Sequence, residues 1–476
     1  MKRVVKESLR FYLLVALIII SLIQLGILWN YQSYGFPFTF LGQKVETSAD
    51  IEKRLGEECI QPLRIVVSNG YEAPRWVVSD RKDADYNRLW GYAVDSLKEA
   101  MDKAPLQTAG ISLWKDATAN RSLIFEFKVN LKANLLELFL QPANLQLNGL
   151  TGITKLSVSS WNDTNASLYI TDGVNTSIYT INMTAEKSRY YEDVFERYNE
   201  NGSLRSFRMM QELNTNDSFN FKFDEGVLGI PGTQYSSFKT VSLMPAPGIY
   251  SQDPYTSAEV SEIASSILGV EKDGYDRTVD SVTNTIEFRT QNKIYSLKTD
   301  GVLEYNSLTG ISDSDKGTLK SAFVHVYKLL SGINSLISED SQLFLSGIDE
   351  SKKDRYVFYF DYIVDGMPVI LEAEDDEAGV DHAVRIESNS KGLIYCNAVI
   401  KGFKIYNQEE PYDVYFGHLM DDLYKNYPEL KNGESLRISD MFLAYGAGRK
   451  LYSSYIKPVW VIEISGKHYV VSMRAE

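Results

Sequence analysis

The chain has 476 residues, a formal net charge of −14 and 12% aromatic side chains. That aromatic content can close a sizeable core and excludes a disordered stalk. The acidity repels phosphate backbones and anionic head groups, which excludes nucleic acid as a partner.

The chain opens on a basic tip, residues 1–10, in which Lys2, Arg3, Lys6 and Arg10 outweigh Glu7. Phe11 to Trp29 then runs without a charge, and 19 residues at helical rise span roughly the 30 Å of a bilayer's hydrocarbon core. The next charge is Lys44, so the positive-inside rule puts the tip in the cytoplasm and residues 30–476 outside. A signal peptidase needs a small-x-small pattern, which Asn30 to Pro37 lack, so the helix is expected to be retained as a single membrane span. Cys59 lies too far from the apolar run to serve as a lipid anchor.

Residues 30–61 read as a tether to a first strand at Arg64–Ser68. From Asp85 to Ala104, Tyr86, Leu89, Trp90, Ala93, Val94, Leu97 and Met101 recur at helical spacing and predict a helix with one buried stripe. Strands are predicted at Leu123–Val129, Ser167–Ile170 and Ser177–Met183, giving a domain over 62–245 of strands with few helices. Pro245, Pro247 and Gly248 mark a boundary. Beyond it Thr256 and Glu259 fit a capping box for a helix through Val260, Ile263, Ala264, Ile267 and Leu268, ended by Gly269.

Strands at Ser281–Arg289, Lys293–Lys298 and Val302–Tyr305 complete a central domain, 246–315. A C-terminal domain, 316–476, repeats the order twice. A helix through Leu319, Phe323, Val326 and Leu330 precedes strands at Tyr356–Val364, Met367–Leu371, Val384–Glu387 and Leu393–Asn397. A second, from Tyr412 through Phe416, Leu419, Met420 and Leu423, precedes Val459–Ile464 and His468–Ser472. The hairpins around Gly301 and Gly392 are alike, through either a duplication or the common demands of a glycine turn. The expected class is α+β: one N-terminal transmembrane helix, then extracytoplasmic domains of helices packed on antiparallel sheets.

Local signatures of chemistry are sparse. His325, His382, His418 and His468 lack metal-ligand spacing, and the S-x-x-K formed by Ser112 and Lys115 lacks its partner motifs. Asp313, Asp315 and Gly317 open like a calcium loop, but Val324 stands where a bidentate Glu belongs, so Asp315 reads as a helix N-cap. Glu372 to Glu377 read as a solvated acidic loop, and Cys59 and Cys396 as buried thiols rather than a disulfide framework. Seven Asn-x-Ser/Thr sequons, at Asn120, Asn162, Asn165, Asn175, Asn182, Asn201 and Asn216, are glycan acceptors only in a eukaryotic secretory setting. No catalytic residue, cofactor or metal is therefore expected.

Arg64–Asn69 (RIVVSN) with the Trp76 and Trp90 region, Phe358–Ile370 (FYFDYIVDGMPVI), the Lys391–Tyr395 hairpin, Ile438–Gly446 (ISDMFLAYG) and Lys457–Val471 (KPVWVIEISGKHYVV) follow one another in a telling order. With the basic tip and single N-terminal helix, they resemble the YycH family of Gram-positive bacteria and its sister YycI. The resemblance implies a non-catalytic regulator that binds a WalK/YycG-like sensor histidine kinase and a YycI-like sister protein, adjusting two-component control of the cell wall. It also implies contact partly through membrane helices, and Ser21, Gln24 and Gly26 are the residues of the anchor suited to a contact face. The alternatives are a surface enzyme acting on wall polymer and an extracytoplasmic solute- or lipid-binding protein.

Overall fold

The computed structural model describes residues 48–475 except 72, 141–146, 201–205, 210–220, 225–227, 232, 246–275, 281, 283–284, 299–300, 309–315, 335, 373–379, 432–435 and 449–453. Phe11–Trp29, Ser21, Gln24 and Gly26, the expected Thr256–Gly269 helix, Asp313, Asp315 and the 373–377 part of the acidic run lie outside the described residues. Among those described, no helix is long and apolar enough to cross a membrane. The chain divides at Asp50/Ile51, and the second unit, Ile51–Glu476, holds both sheets.

Helix α1 (Ser48–Cys59) leads into β1 (Arg64–Ser68), β2 (Arg75–Val78), α2 (Ala84–Met101), β3 (Gln107–Gly110), α3 (Trp114–Ala119), β4 (Ser122–Glu126) and α4 (Ala133–Leu140). Next come β5 (Lys155–Ser159), β6 (Asn165–Thr171), β7 (Asn175–Asn182), α5 (Ala185–Glu200), β8 (Ser206–Met209), β9 (Phe221–Phe223) and β10 (Leu228–Pro231). Among the described residues nine strands form the first sheet, in the order β10-β8-β2-β1-β4-β5-β6-β7-β3, all antiparallel. Its register sets Ile65 opposite Phe125 and Val67 opposite Leu123, so period-two alternation collects these side chains on one face. That face shares a core with Leu89, Trp90 and Leu97 of α2 and Tyr191, Val194 and Phe195 of α5. Val66 and Ile124 point to the opposite face and pack in a second core with Trp114 of α3.

The second sheet is built from β11 (Tyr235–Pro245), β12 (Asp276–Asp280), β13 (Thr285–Arg289), β14 (Lys293–Lys298), β15 (Val302–Ser307), α6 (Leu319–Asn334), β16 (Ser341–Asp349), β17 (Tyr356–Val364), β18 (Met367–Glu372), β19 (Val380–Asp381) and β20 (Val384–Asn389). To these are added β21 (Gly392–Val399), β22 (Lys401–Asp413), α7 (Phe416–Asn426), β23 (Leu436–Gly448), β24 (Ser454–Ile464) and β25 (Lys467–Ser472). The order is β12-β13-β14-β15-β21-β20-β17-β18-β23-β24-β11-β22, with β16, β19, β25 and β9 attached at the sides. Helix α6 lies on β20, β21 and β17, its Phe323 ring 4.8 Å from that of Phe358, and α7 lies on β25. The architecture is α+β, as the hydrophobic patterning predicts.

Several expectations need correction. Residues 48–59 of the expected tether are helical, and Ile51, Leu55 and Cys59, spaced by four, are buried in the core. Among the described residues of 62–245 there are four α-helices rather than few; α4 and α5 present Leu135, Leu136, Tyr190, Tyr191, Val194 and Phe195 to the core. Sheet membership ignores the divisions expected at 245/246 and 315/316, because β11 pairs with β22 and β24, and β15 pairs with β21. Tyr412 ends a strand rather than starting a helix. Helix α6 takes Thr318 as its cap, its Oγ1 accepting from the Ser321 amide at 3.2 Å, so Asp315 is not the N-cap. The two cysteines need no correction: both thiols are free and buried, as expected, and desolvation pushes Cys59 up to about 12.

A Cβ at Gly56 would sit 2.5 Å from Phe139 Cβ, so α1 and α4 touch only because residue 56 has no side chain. Gly56→Ala is expected to destabilise the fold by about 1–3 kcal/mol despite its better helix propensity. Denaturant unfolding checks this; an unchanged or raised midpoint contradicts it.

Candidate functional site

Where β8 and β2 of the first sheet face β11, β23 and β24 of the second, a cleft of about 620 Å³ opens. One wall carries Leu63 and Arg64 at the start of β1, Trp76 and Val77 of β2, Tyr198 of α5 and Phe207 of β8. Facing it are Tyr235, Ser236 and Ser237 of β11, Glu409 of β22, Met441 and Leu443 of β23 and Trp460 of β24. The β17–β18 turn also lines the cleft. Asp365 and Gly366 both have positive φ, at 50° and 71°, as a tight hairpin turn requires. A Cβ on Gly366 would lie 2.5 Å from Ser79 Oγ, so this turn is seated directly on the end of β2. Lys239 holds it from the other side with a 2.7 Å ion pair to Asp365.

Arg64 belongs to both walls. Its Nε donates to Glu126 of β4, and its Nη2 lies 3.7 Å from Asp440 of β23, across the gap between sheets. Lys155 of β5 approaches Glu126 at 3.2 Å, and Lys128 approaches Asp440 at 3.6 Å while lying 4.8 Å over the Phe442 ring. Asp440 reaches this position through a register shift in β23 between Ile438 and Asp440, where the bulge re-aims the side chain. Burial alone would raise the Glu126 carboxyl, but the charges of Arg64 and Lys155 outweigh it and hold the group below its usual range. Desolvation likewise opposes ionisation of Asp440, and Lys128 and Arg64 override it.

Trp460 is 2% exposed, and its indole N–H finds no hydrogen-bond partner among the described residues. An unmet buried donor carries a desolvation cost.

His382, His418 and His468 each lie beside a carboxylate. His382 Nδ1 faces both Asp361 Oδ2 at 3.0 Å and Ser346 Oγ at 3.3 Å. A Ser-His-Asp relay needs the acid on one ring nitrogen and the nucleophile on the other, so this constellation cannot pass a proton along. His418 pairs with Asp413 at 2.5 Å beside the exposed end of α7, and His468 with Glu463 at 3.5 Å. His325 lies in α6, as expected from sequence, with burial moving its pKa down. Ser112 and Lys115 are exposed. Among the described residues no group of three His, Cys, Asp or Glu side chains is placed to hold a metal. None of the cleft residues was expected as a site; Arg64, Trp76 and Trp460 figure in the sequence only as parts of a strand or core.

No family model matches the chain, and no curated protein matches it. Among solved structures, YycH from Bacillus subtilis is similar, with a TM-score of 0.53 and 12% identity over 88% of this chain and 97% of that one. The chain shares the fold of YycH. An uncharacterized protein from Eubacterium rectale overlaps 50% of this chain and 82% of its own, with 15% identity and a TM-score of 0.29, too low to bear on the fold.

The ion cluster gives a pH-dependent prediction. Because the folded pKa values of Glu126 and Asp440 are depressed, their stabilisation is present at neutral pH and is lost as pH falls through those lowered values. Asp440→Asn is expected to cost about 1–2 kcal/mol at pH 7, with the gap to the parent closing below about pH 4. Urea melts across pH check this; a pH-independent gap contradicts it.

Proposed function

We propose that the chain is a non-catalytic, single-pass membrane regulator with a cytoplasmic N-terminus and its bulk outside the cell. It binds a WalK/YycG-like sensor histidine kinase together with a YycI-like sister protein. The observation that supports this reading is the shared fold with YycH across 88% of the chain. The sequence blocks behind the resemblance fall on strands of the second sheet: Phe358–Ile370 on the β17–β18 hairpin, Ile438–Gly446 on β23 and Lys457–Val471 on β24 and β25.

The mechanism is a population shift. A regulator biases a kinase only by differential contact with its two states, and the anchor Phe11–Trp29 offers that contact inside the bilayer. Ser21, Gln24 and Gly26 supply the small and polar face, each polar contact contributing about 0.6 kcal/mol in lipid. No carboxylate or histidine of the described region is asked to do chemistry.

Replacing Ser21, Gln24 and Gly26 together by Leu is expected to leave membrane insertion intact and to change kinase output measured by a reporter of its response regulator. Co-purification of the kinase should fall in parallel. Unchanged output with no kinase recovered from either form contradicts the proposal.

A further inference from the structure

We infer that Asn148 is a site of spontaneous chemical modification, where the chain deamidates to a mixture of aspartate and isoaspartate. The inference concerns one turn, ahead of β5, and is independent of the proposed kinase partnership. Asn-Gly occurs at Asn69, Asn148, Asn201 and Asn432, the last two outside the described residues. Glycine suits the reaction because no Cβ shields its amide from the preceding side chain.

The reaction needs only hydroxide and water. Hydroxide takes the proton of the Gly149 amide, and the nitrogen bonds to Asn148 Cγ. The Cγ–Nδ2 bond then breaks and ammonia leaves, giving a five-membered succinimide. Water opens that ring at either carbonyl, to aspartate or to isoaspartate, so ammonia is exchanged for water with no change of oxidation state. An amide that already donates a hydrogen bond, or is walled in by neighbours, resists both the deprotonation and the approach.

The two described pairs differ on both counts. Leu150 N donates to Leu147 O at 3.0 Å and closes a turn with Asn148 and Gly149 at its centre, both at positive φ, 48° and 91°. Gly149 is exposed, its amide donates to no described residue, and a Cβ on it would meet nothing within 4 Å. Gly70, by contrast, donates its amide to Ser68 Oγ at 3.3 Å, and a Cβ there would lie 2.8 Å from Ala119 O. Asn69 is held at both ends, its amide on Pro74 O and its Nδ2 on Asn199 Oδ1. At Asn148 the carboxamide is restrained by the buried Tyr179, whose Oη accepts from Nδ2 at 3.2 Å. That bond is given up as Nδ2 leaves, so Tyr179 is a brake on the reaction. Behind the turn Leu150 and Ile153 are buried, and Thr151 gives Asp172 Oδ2 two hydrogen bonds, at 2.9 and 3.1 Å. Isoaspartate adds a methylene to the main chain and a negative charge to this anchorage, and both loosen the entry to β5.

The test keeps the full chain in nanodiscs at pH 6 and at pH 8 and follows the Asn69 and Asn148 peptides by mass spectrometry, with electron-transfer fragmentation separating isoaspartate from aspartate. Asn148 is expected to convert about tenfold faster than Asn69, and faster at pH 8 than at pH 6. In concentrated urea, where the two turns no longer differ, the rates should match. Tyr179→Phe removes only the hydroxyl; it should speed Asn148 by about fivefold and leave Asn69 unchanged, which separates release of the brake from a general loosening. Aged chain should unfold at a lower urea concentration than fresh chain, and Asn148→Asp, which carries the charge without the added methylene, should fall between them. The inference is overturned if Asn148 of the folded chain stays intact or converts no faster than Asn69, if Tyr179→Phe fails to speed it, or if aged and fresh chain unfold together.

Discussion

Arg64 opens the first strand of one sheet and reaches Asp440 on a strand of the other, with Glu126 beside it as a second anion. Lys155 and Lys128 complete the set; the Arg64 and Glu126 side chains at its centre are only 12% and 9% exposed, while Lys128, Lys155 and Asp440 are 23%, 25% and 28% exposed. Ions so placed are stable together and costly apart: removing one partner of such a set leaves an uncompensated charge. The arrangement therefore tolerates one separation of the two sheets. That separation fixes the width of the cleft, because Arg64 and the neighbours of Asp440, Met441 and Phe442, line it.

Apolar packing gives the two sheets a common interior but not a precise register. One continuous core runs from Leu55 of α1 through the first sheet to Phe358 and Tyr445 of the second, and hydrophobic contact is non-directional. Direction comes from polar bridges. Beside the Arg64 cluster, Lys239 pairs with Asp365 of the β17–β18 turn, and Tyr327 Oη donates to Glu58 Oε2 at 2.7 Å, tying α6 to α1. Lys132 and Glu350 pair at 2.9 Å, linking the approach to α4 with the end of β16. Each bridge spans a long stretch of sequence, so the sheets behave as one body built from distant segments.

This long-range character explains what the sequence reveals. Arg64–Ser68 is readable as a strand because its apolar run and flanks are local facts, and the same holds for the periodic stripe of α2. Helix α5 hides because its core-facing positions are largely tyrosines, which read as surface until Tyr190, Tyr191 and Tyr198 are seen buried. Strand β11 looks like the end of a first domain because Pro245 punctuates the chain there, whereas its pairing partners lie more than 150 positions further on. The cleft is invisible for the same reason: Trp76, Tyr235, Glu409 and Trp460 have no common spacing, and only the meeting of the sheets gathers them. The His382 neighbourhood is likewise a product of folding, and its serine and aspartate sit on a single ring nitrogen, where no relay can run.

Coupling of the two sheets through the Arg64 cluster, and with it the shape of the cleft, is tested most directly by hydrogen–deuterium exchange on Arg64→Met. Amide protection is expected to fall together in β1 and β4 of the first sheet and in β23 of the second, while α6 and β20 keep theirs. Loss confined to β1 and β4, with β23 as protected as in the parent chain, would contradict that coupling.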